Sequence, residues 1–199
     1  ERTAISRTHL SAPMQILSKN GFLEGNYSVC DYGCGRGDDL AILESLGIDA
    51  VGWDPNHRPE GERLPSDIVN LGFVVNVIED REERDYALRS AFKLSERLLI
   101  VSAMLGSDEH IAKFRPFKDG VITSRKTFQK YYAQSELKEY IESTLETSAI
   151  AAASGIFLVF NDEALEAEYV FARHQRRRGT RERSGIVRKS KAERLVELV

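Results

Sequence analysis

Apolar and polar positions follow two periods along this chain, and the switches between them outline short helices and strands. Ser11-Ala12-Pro13 has the form of a helix start, an N-cap followed by Pro in the first turn, and Gly21 stops the helix it opens. Ser28 to Tyr32 is a short strand that runs directly into Gly33-Cys34-Gly35-Arg36-Gly37. Asp38 and Asp39 then stand where acids favour a helix start, and Leu40, Ile42, Leu43 and Leu46 carry that helix to Gly47. A second strand, Ala50 to Trp53, ends at Asp54-Pro55, and the polar residues 55–66 with their three prolines predict a loop.

Ile68 to Val75 is an apolar run long enough for a buried strand. The acidic stretch Glu79-Asp80-Arg81-Glu82-Glu83 opens a helix whose Leu88, Ala91 and Phe92 fall on one face. Leu98 to Val101 predicts a further strand. Residues 104–134 mix turn signals such as Asp119-Gly120 with Phe114, Phe117, Phe128, Tyr131 and Tyr132, and no element stands out. Leu137, Tyr140, Ile141 and Leu145 then mark a helix, and Ile156 to Phe160 and Glu168 to Ala172 read as two strands joined by a loop at Asn161-Asp162. Strands alternating with helices and closing in a hairpin predict a three-layer α/β fold with a mainly parallel sheet and a C-terminal antiparallel hairpin.

A chain of 199 residues suits one domain with a short extension. With 42% hydrophobic and 30% charged residues, it belongs among globular chains, and wholesale disorder is excluded. No apolar run reaches the roughly 20 residues that span a bilayer. Residues 1–25 lack the basic and apolar regions of a signal peptide, and Glu1 stands where an initiator Met is expected. The expectation is a cytoplasmic, membrane-free piece of a longer protein.

The net charge of −3 excludes a uniformly basic nucleic-acid binder, but its distribution is uneven. Residues 1–172 hold 18 Lys/Arg against 28 Asp/Glu, whereas residues 173–199 hold 10 against 3. We therefore expect an acidic body over residues 1–173 and a basic tail or linker over 174–199, with Ala192 to Val199 opening a further helix. The arginines of that tail, from Arg176 to Arg188, are equally suited to phosphate contact and to a solvated linker. Cys30 and Cys34 are reduced thiols in this reading, with no neighbouring Cys or His to complete a metal site. His9, His57, His110 and His174 are scattered and receive no role.

A strand that ends in close-set glycines and turns into a helix presents backbone N–H groups to a ligand. Three nucleotide classes compete for Asp31-Tyr32-Gly33-Cys34-Gly35-Arg36-Gly37. The Gly-Lys-Ser/Thr ending of triphosphate-binding loops is absent. A dinucleotide pyrophosphate would meet Asp38 and Asp39 at the helix start, and the third glycine stands one residue too early for that fingerprint. A ligand with a cationic portion and no phosphates fits better.

The pattern acid-x-Gly-x-Gly-x-Gly, followed by an acid at the end of the next strand, resembles the loop of the class I (Rossmann-like) methyltransferases. That resemblance implies S-adenosylmethionine as cofactor, with Asp31 near its amino-acid portion and Tyr32, Gly33, Cys34, Gly35 and Gly37 forming the backbone cradle. It also implies Asp54 on the ribose hydroxyls, with Pro55, Asn70 and Leu71 completing the cofactor contacts. Only 13 positions separate Asp54 from Asp67, where the family fits a helix, a strand and another helix, so no residue is assigned as the adenine-binding acid.

Together with the glycine loop, Gly52-Trp53-Asp54-Pro55, Asn70-Leu71-Gly72-Phe73, Asn76-Val77-Ile78-Glu79-Asp80 and Thr127-Phe128-Gln129-Lys130 resemble one bacterial family, the DNA phosphorothioation-associated methyltransferases encoded beside the Dnd genes. This implies a nucleic-acid substrate, DNA, and Dnd-system proteins as partners. Asn70 to Phe73 is similar to the Asn-Pro-Pro-aromatic motif of DNA amino-methyltransferases, which implies catalytic roles for Asn70 and Phe73, although both prolines are missing. Phe73 as a core residue and Asn70 as a cofactor-facing group is the alternative. RNA, protein or small-molecule acceptors stay open, as does a regulatory module that binds cofactor without catalysis.

Overall fold

The strands expected between residues 28 and 102 all form, and they lie side by side. A computed structural model describes residues 9–184, with side chains described as far as residue 176. The elements of the body are α1 (Ala12–Lys19), β1 (Val29–Tyr32), α2 (Asp38–Ser45), β2 (Ala50–Trp53), β3 (Ser66–Gly72), α3 (Arg81–Leu94) and β4 (Ser95–Ser102). They continue with α4 (Asp108–Ile111), β5 (Arg115–Phe117), β6 (Gly120–Ile122), β7 (Phe128–Gln129), α5 (Gln134–Leu145), β8 (Ile150–Ala153) and β9 (Ile156–Phe160).

A six-stranded sheet runs in the order β2-β1-β3-β4-β9-β8. The first four strands are parallel, β9 is antiparallel to β4, and β8 is antiparallel to β9. Because side chains alternate across a strand, each strand feeds two cores. Cys30, Tyr32, Val69, Leu71, Leu99, Val101, Phe157 and Val159 face one side, where Ala87, Leu88 and Ala91 of α3 and Leu137 and Ile141 of α5 cover them. On the other face, Leu40 of α2 lies against Gly52, whose strand partner is Asp31. The backbone N–H of Ser11 donates to Asp39 Oδ1 at 2.7 Å, joining the start of α1 to that of α2. The result is the expected three-layer α/β architecture.

The segment between β2 and β3 is a run of turns over residues 54–65, leaving β2 at the sheet edge. This agrees with the shortening inferred from the 13-position gap. Ser11 does precede α1 and Pro13 lies in its first turn, but the Ser11 hydroxyl makes no cap bond.

Two expectations fail. Residues 168–172 are not a strand: they lie within α6 (Glu163–Ser184), a helix that follows Asp162 and forms a second unit by its internal contacts. The run Glu163-Ala164-Leu165-Glu166-Ala167 is made of strong helix formers and carries the β-prone Tyr169-Val170-Phe171 along. The antiparallel hairpin is instead β8 with β9, and β8 escapes a propensity reading because three of its four residues are alanine. The strand expected over Ile68 to Val75 also ends early, at Gly72. Residues 104–134 resolve into α4 and a small sheet, β5-β6-β7. Among the described residues no helix is long and apolar enough to cross a membrane. The helix expected over 192–199, with Arg188 and Lys189, lies outside the described residues, as do residues 1–8.

Candidate functional site

Parallel strands end on one edge, and the C-terminal ends of β1, β2 and β3 bring the sequence-predicted residues to one corner. Asp31 and Asn70 are direct partners in the β1–β3 register, so their side chains share the α2 face. Asn70 Nδ2 donates to Asp31 Oδ1 at 2.8 Å, which fixes the amide orientation because a carboxylate only accepts. Both residues are almost fully buried, and Asn70 Oδ1 has no partner among the described residues. A buried unpaired acceptor at a strand end is costly unless a ligand supplies the donor.

The loop from Gly33 to Gly37 wraps this pair. Gly33 has φ 88° and Gly37 φ 85°, conformations L side chains rarely adopt. Space adds to this at Gly33, where a Cβ would clash with Val74 Cγ2, whereas at Gly37 it would meet only the far end of the flexible Arg58 side chain. The backbone N–H groups of Gly33 and Cys34 donate to Trp53 O at 2.8 and 3.1 Å, tying the loop to the end of β2.

Asp54 is the centre of the next turn. Its Oδ2 accepts from Gly35 N at 3.2 Å, and its Oδ1 accepts from Asn56 N and His57 N, each at 2.9 Å. His57 Nδ1 is 3.1 Å from the same Oδ1, and the ionised acid makes that nitrogen the donor. Burial alone would raise the Asp54 carboxyl, but the bonds from Asn56 and His57 outweigh it and hold the group below the ordinary carboxylate range. Pro55 begins this turn. His57 thus belongs to the site although the sequence reading gave it no role; the signal was an Asx turn, Asp54 bonded to the N–H groups two and three residues on.

Cys34 sits in the loop, and burial followed by the charge of Asp31 pushes its thiol up to about 12. Cys30 is raised to about 11 by the same causes in the same order. Both thiols are thereby favoured in the protonated form near neutrality. Tyr32 and Leu71 turn their side chains into the α3/α5 core and offer the crevice only backbone; the Tyr32 ring meets Trp53 at 5.2 Å.

Phe73 is not the core strand residue of the alternative reading. It follows the end of β3 with φ 59°, half-buried, and its N–H donates to Ser102 O at 2.9 Å and Ser102 Oγ at 3.2 Å. A bulky aromatic in the left-handed region is strained, and such strain persists where neighbouring bonds impose it. The turn that prolines would have made is made here by Gly72-Phe73 and the buried Ser102.

Among the described residues no group of His, Cys, Asp and Glu is placed to hold a metal ion. The corner suits an organic ligand that lays apolar and hydroxyl surface on a backbone cradle, offers a donor to Asn70, and carries positive charge toward Asp31.

No protein-family model matches the sequence, and no curated protein matches it. Solved structures do. A sugar N-methyltransferase from Streptoalloteichus is 14% identical, with a TM-score of 0.55 over 82% of this chain and 100% of its own. The 1,6-didemethyltoxoflavin-N1-methyltransferase of Burkholderia thailandensis, solved with S-adenosylhomocysteine, is 12% identical with a TM-score of 0.52 over 75% of this chain and 76% of its own. Magnesium protoporphyrin IX methyltransferase from Synechocystis, with bound SAH, is 15% identical with a TM-score of 0.51 over 75% and 83% of the two chains. At these identities the likeness establishes the fold: that of the Rossmann-like methyltransferases.

Proposed function

We propose that this chain is an S-adenosylmethionine-dependent methyltransferase that acts on DNA within a bacterial phosphorothioation system. The observation that carries the reading is the Asp31–Asn70 pair, with Asn70 Oδ1 unpartnered, set between the positive-φ glycine loop and the strained Phe73. The methyltransferase fold and the relatives solved with SAH support the cofactor.

When bound, the cofactor supplies an activated methyl group whose transfer needs alignment more than proton movement. Asp31 would hold the cofactor's ammonium, the Gly33–Gly37 loop would let it approach the backbone, and Asp54 beside Pro55 would accept from its ribose hydroxyls. Asn70, at the end of β3, has an acceptor suited to an exocyclic N–H, and Phe73 projects from the turn beside it as a surface for a base. The DNA acceptor and the Dnd partners rest on the motif wording; the similar structures named above are methyltransferases of a sugar, of 1,6-didemethyltoxoflavin and of magnesium protoporphyrin IX.

A tritiated-methyl transfer assay against phosphorothioated and unmodified DNA, RNA, protein and small-molecule extract tests the reading. Label in DNA, lost on Asn70→Ala, is expected. Label confined to protein or small molecules contradicts the DNA assignment and leaves the methyltransferase assignment standing.

A further inference from the structure

The insert that follows β4 has two ends with opposite electrostatic treatment. At the β5–β6 turn every charge is paired. Asp119 takes a two-point bond from Arg84 at 2.7 and 3.1 Å, Lys118 meets Glu79 at 2.7 Å, and Lys130 meets Glu136 at 2.8 Å. Arg84 is itself buried and also donates to Ile78 O.

The other end carries only unpaired cations. Arg115 pairs with Ile122 in the sheet register, and Ile122 leads into the Thr123–Thr127 turn that bears Arg125 and Lys126. That turn is closed by Thr123 N to Thr127 O and Lys126 N to Thr123 O, each 2.9 Å. Lys113 enters the same end two residues before Arg115. All four side chains are exposed, and among the described residues none is within ion-pair reach of an acid, Asp108 and Glu109 of α4 included. Lys126 sits at φ 60°, where Gly or Asn would be less strained.

Beside these cations stand three rings. Phe114 and Tyr131 stack at 6.0 Å and 16°, and His110 meets both edge-on at 5.3 and 5.0 Å. The insert is also tied to the candidate site, because Lys130 N donates to Asn76 O at 2.7 Å, three residues beyond Phe73.

We infer that this free end is a docking surface for the sugar–phosphate backbone of DNA, with Lys113, Arg115, Arg125 and Lys126 as the phosphate contacts. The inference rests on the DNA reading above and deepens it. Unpaired cations on a rigid small sheet suit a polyanion, since each phosphate contact releases a condensed counterion. The His110–Phe114–Tyr131 group adds ring surface of the kind on which exposed bases stack. The paired end holds the insert to α3 and α5 while the cationic end is left to the ligand.

The test uses the full chain and a short DNA in single-stranded and duplex form, followed by fluorescence anisotropy over a salt series. The variant Lys113→Ala/Arg115→Ala/Arg125→Ala/Lys126→Ala should lose at least about tenfold in affinity, and its salt dependence should flatten by a slope of about 3. Calorimetric affinity for S-adenosylmethionine should not change, which separates the effect from misfolding. Arg125→Ala/Lys126→Ala should cost more than Arg89→Ala/Lys93→Ala, which removes the same charge from α3. Unchanged affinity and slope in the fourfold variant, or equal losses in the two double variants, would overturn the inference and leave the DNA reading intact. Dependence on these residues for vesicles of anionic lipid but not for DNA would show that the occupant is wrong. A parent chain that binds S-adenosylmethionine but no DNA at any salt removes the DNA reading itself.

Discussion

The glycine-loop corner and the insert of residues 107–131 both follow C-terminal ends of parallel strands, yet they are held in different ways. The corner is fixed by backbone: N–H groups of Gly33, Cys34 and Gly35 bond Trp53 O or Asp54, and the acids there are buried or turned inward. The insert adds side-chain charge to its backbone bonds, through Arg84 with Asp119 and Lys130 with Glu136. Backbone fixation leaves a preformed cradle for a small ligand. Charge fixation at one end only leaves a platform that a larger ligand can press against.

The anchorage of the insert is most vulnerable at Arg84. Replacing it by Met removes a buried guanidinium that joins Ile78 O to Asp119, and should destabilise the fold by about 2 kcal/mol, moderated because Asp119 is half exposed. Thermal unfolding reads that loss, and hydrogen exchange should open residues 115–129 while the loop at 33–37 stays protected. Equal opening of both regions would mean that they are not independently held.

Gly33→Ala attacks the corner instead. The φ of 88° and the close Val74 methyl group predict a loss of about 1–2 kcal/mol, with weakened binding of S-adenosylmethionine and an insert that exchanges as before. Phe73→Gly should change stability little. Relief of the left-handed strain, about 1 kcal/mol, is offset by the loss of a half-buried ring and by a more flexible unfolded chain. Methyl transfer should fall sharply in the same variant, so a folded but inactive protein is expected in denaturant titration and the transfer assay.

Acid should affect both regions least, and in one direction. Asp54 is held below the ordinary carboxylate range by Asn56 and His57, and Asp119 by Arg84. A depressed carboxyl stabilises the fold above its unfolded value and loses that contribution as pH falls through the lower folded one. Exchange protection near both acids should therefore hold at pH 5 and decline below about 4. Protection already lost well above pH 5 would contradict the carboxylate assignment.

The corner was largely legible in the sequence because its geometry is local: a strand, close-set glycines, a helix and a second strand follow one another within Val29 to Asp54. Spacing alone places Asp31, the glycines and Asp54 together. His57 and the left-handed Phe73 were not legible, because one depends on a turn bond and the other on Ser102, which lies 29 positions away. The insert was opaque for a similar reason. Its strands are only two or three residues long, and the Arg84–Asp119 bond that anchors it spans 35 positions. At the end of the body, alanine-rich β8 hid a real strand, and Tyr169-Val170-Phe171 imitated one inside α6.

Calorimetric titration with S-adenosylmethionine and with its demethylated product asks whether the corner of Asp31, Asn70, the glycine loop and Asp54 receives this cofactor. One-to-one binding of both is expected, weakened at least about tenfold by Asp54→Ala through the loss of hydrogen bonds to a charged acceptor. Absence of heat with either compound, or binding that Asp54→Ala and Asp31→Ala leave unaltered, would contradict that placement of the cofactor.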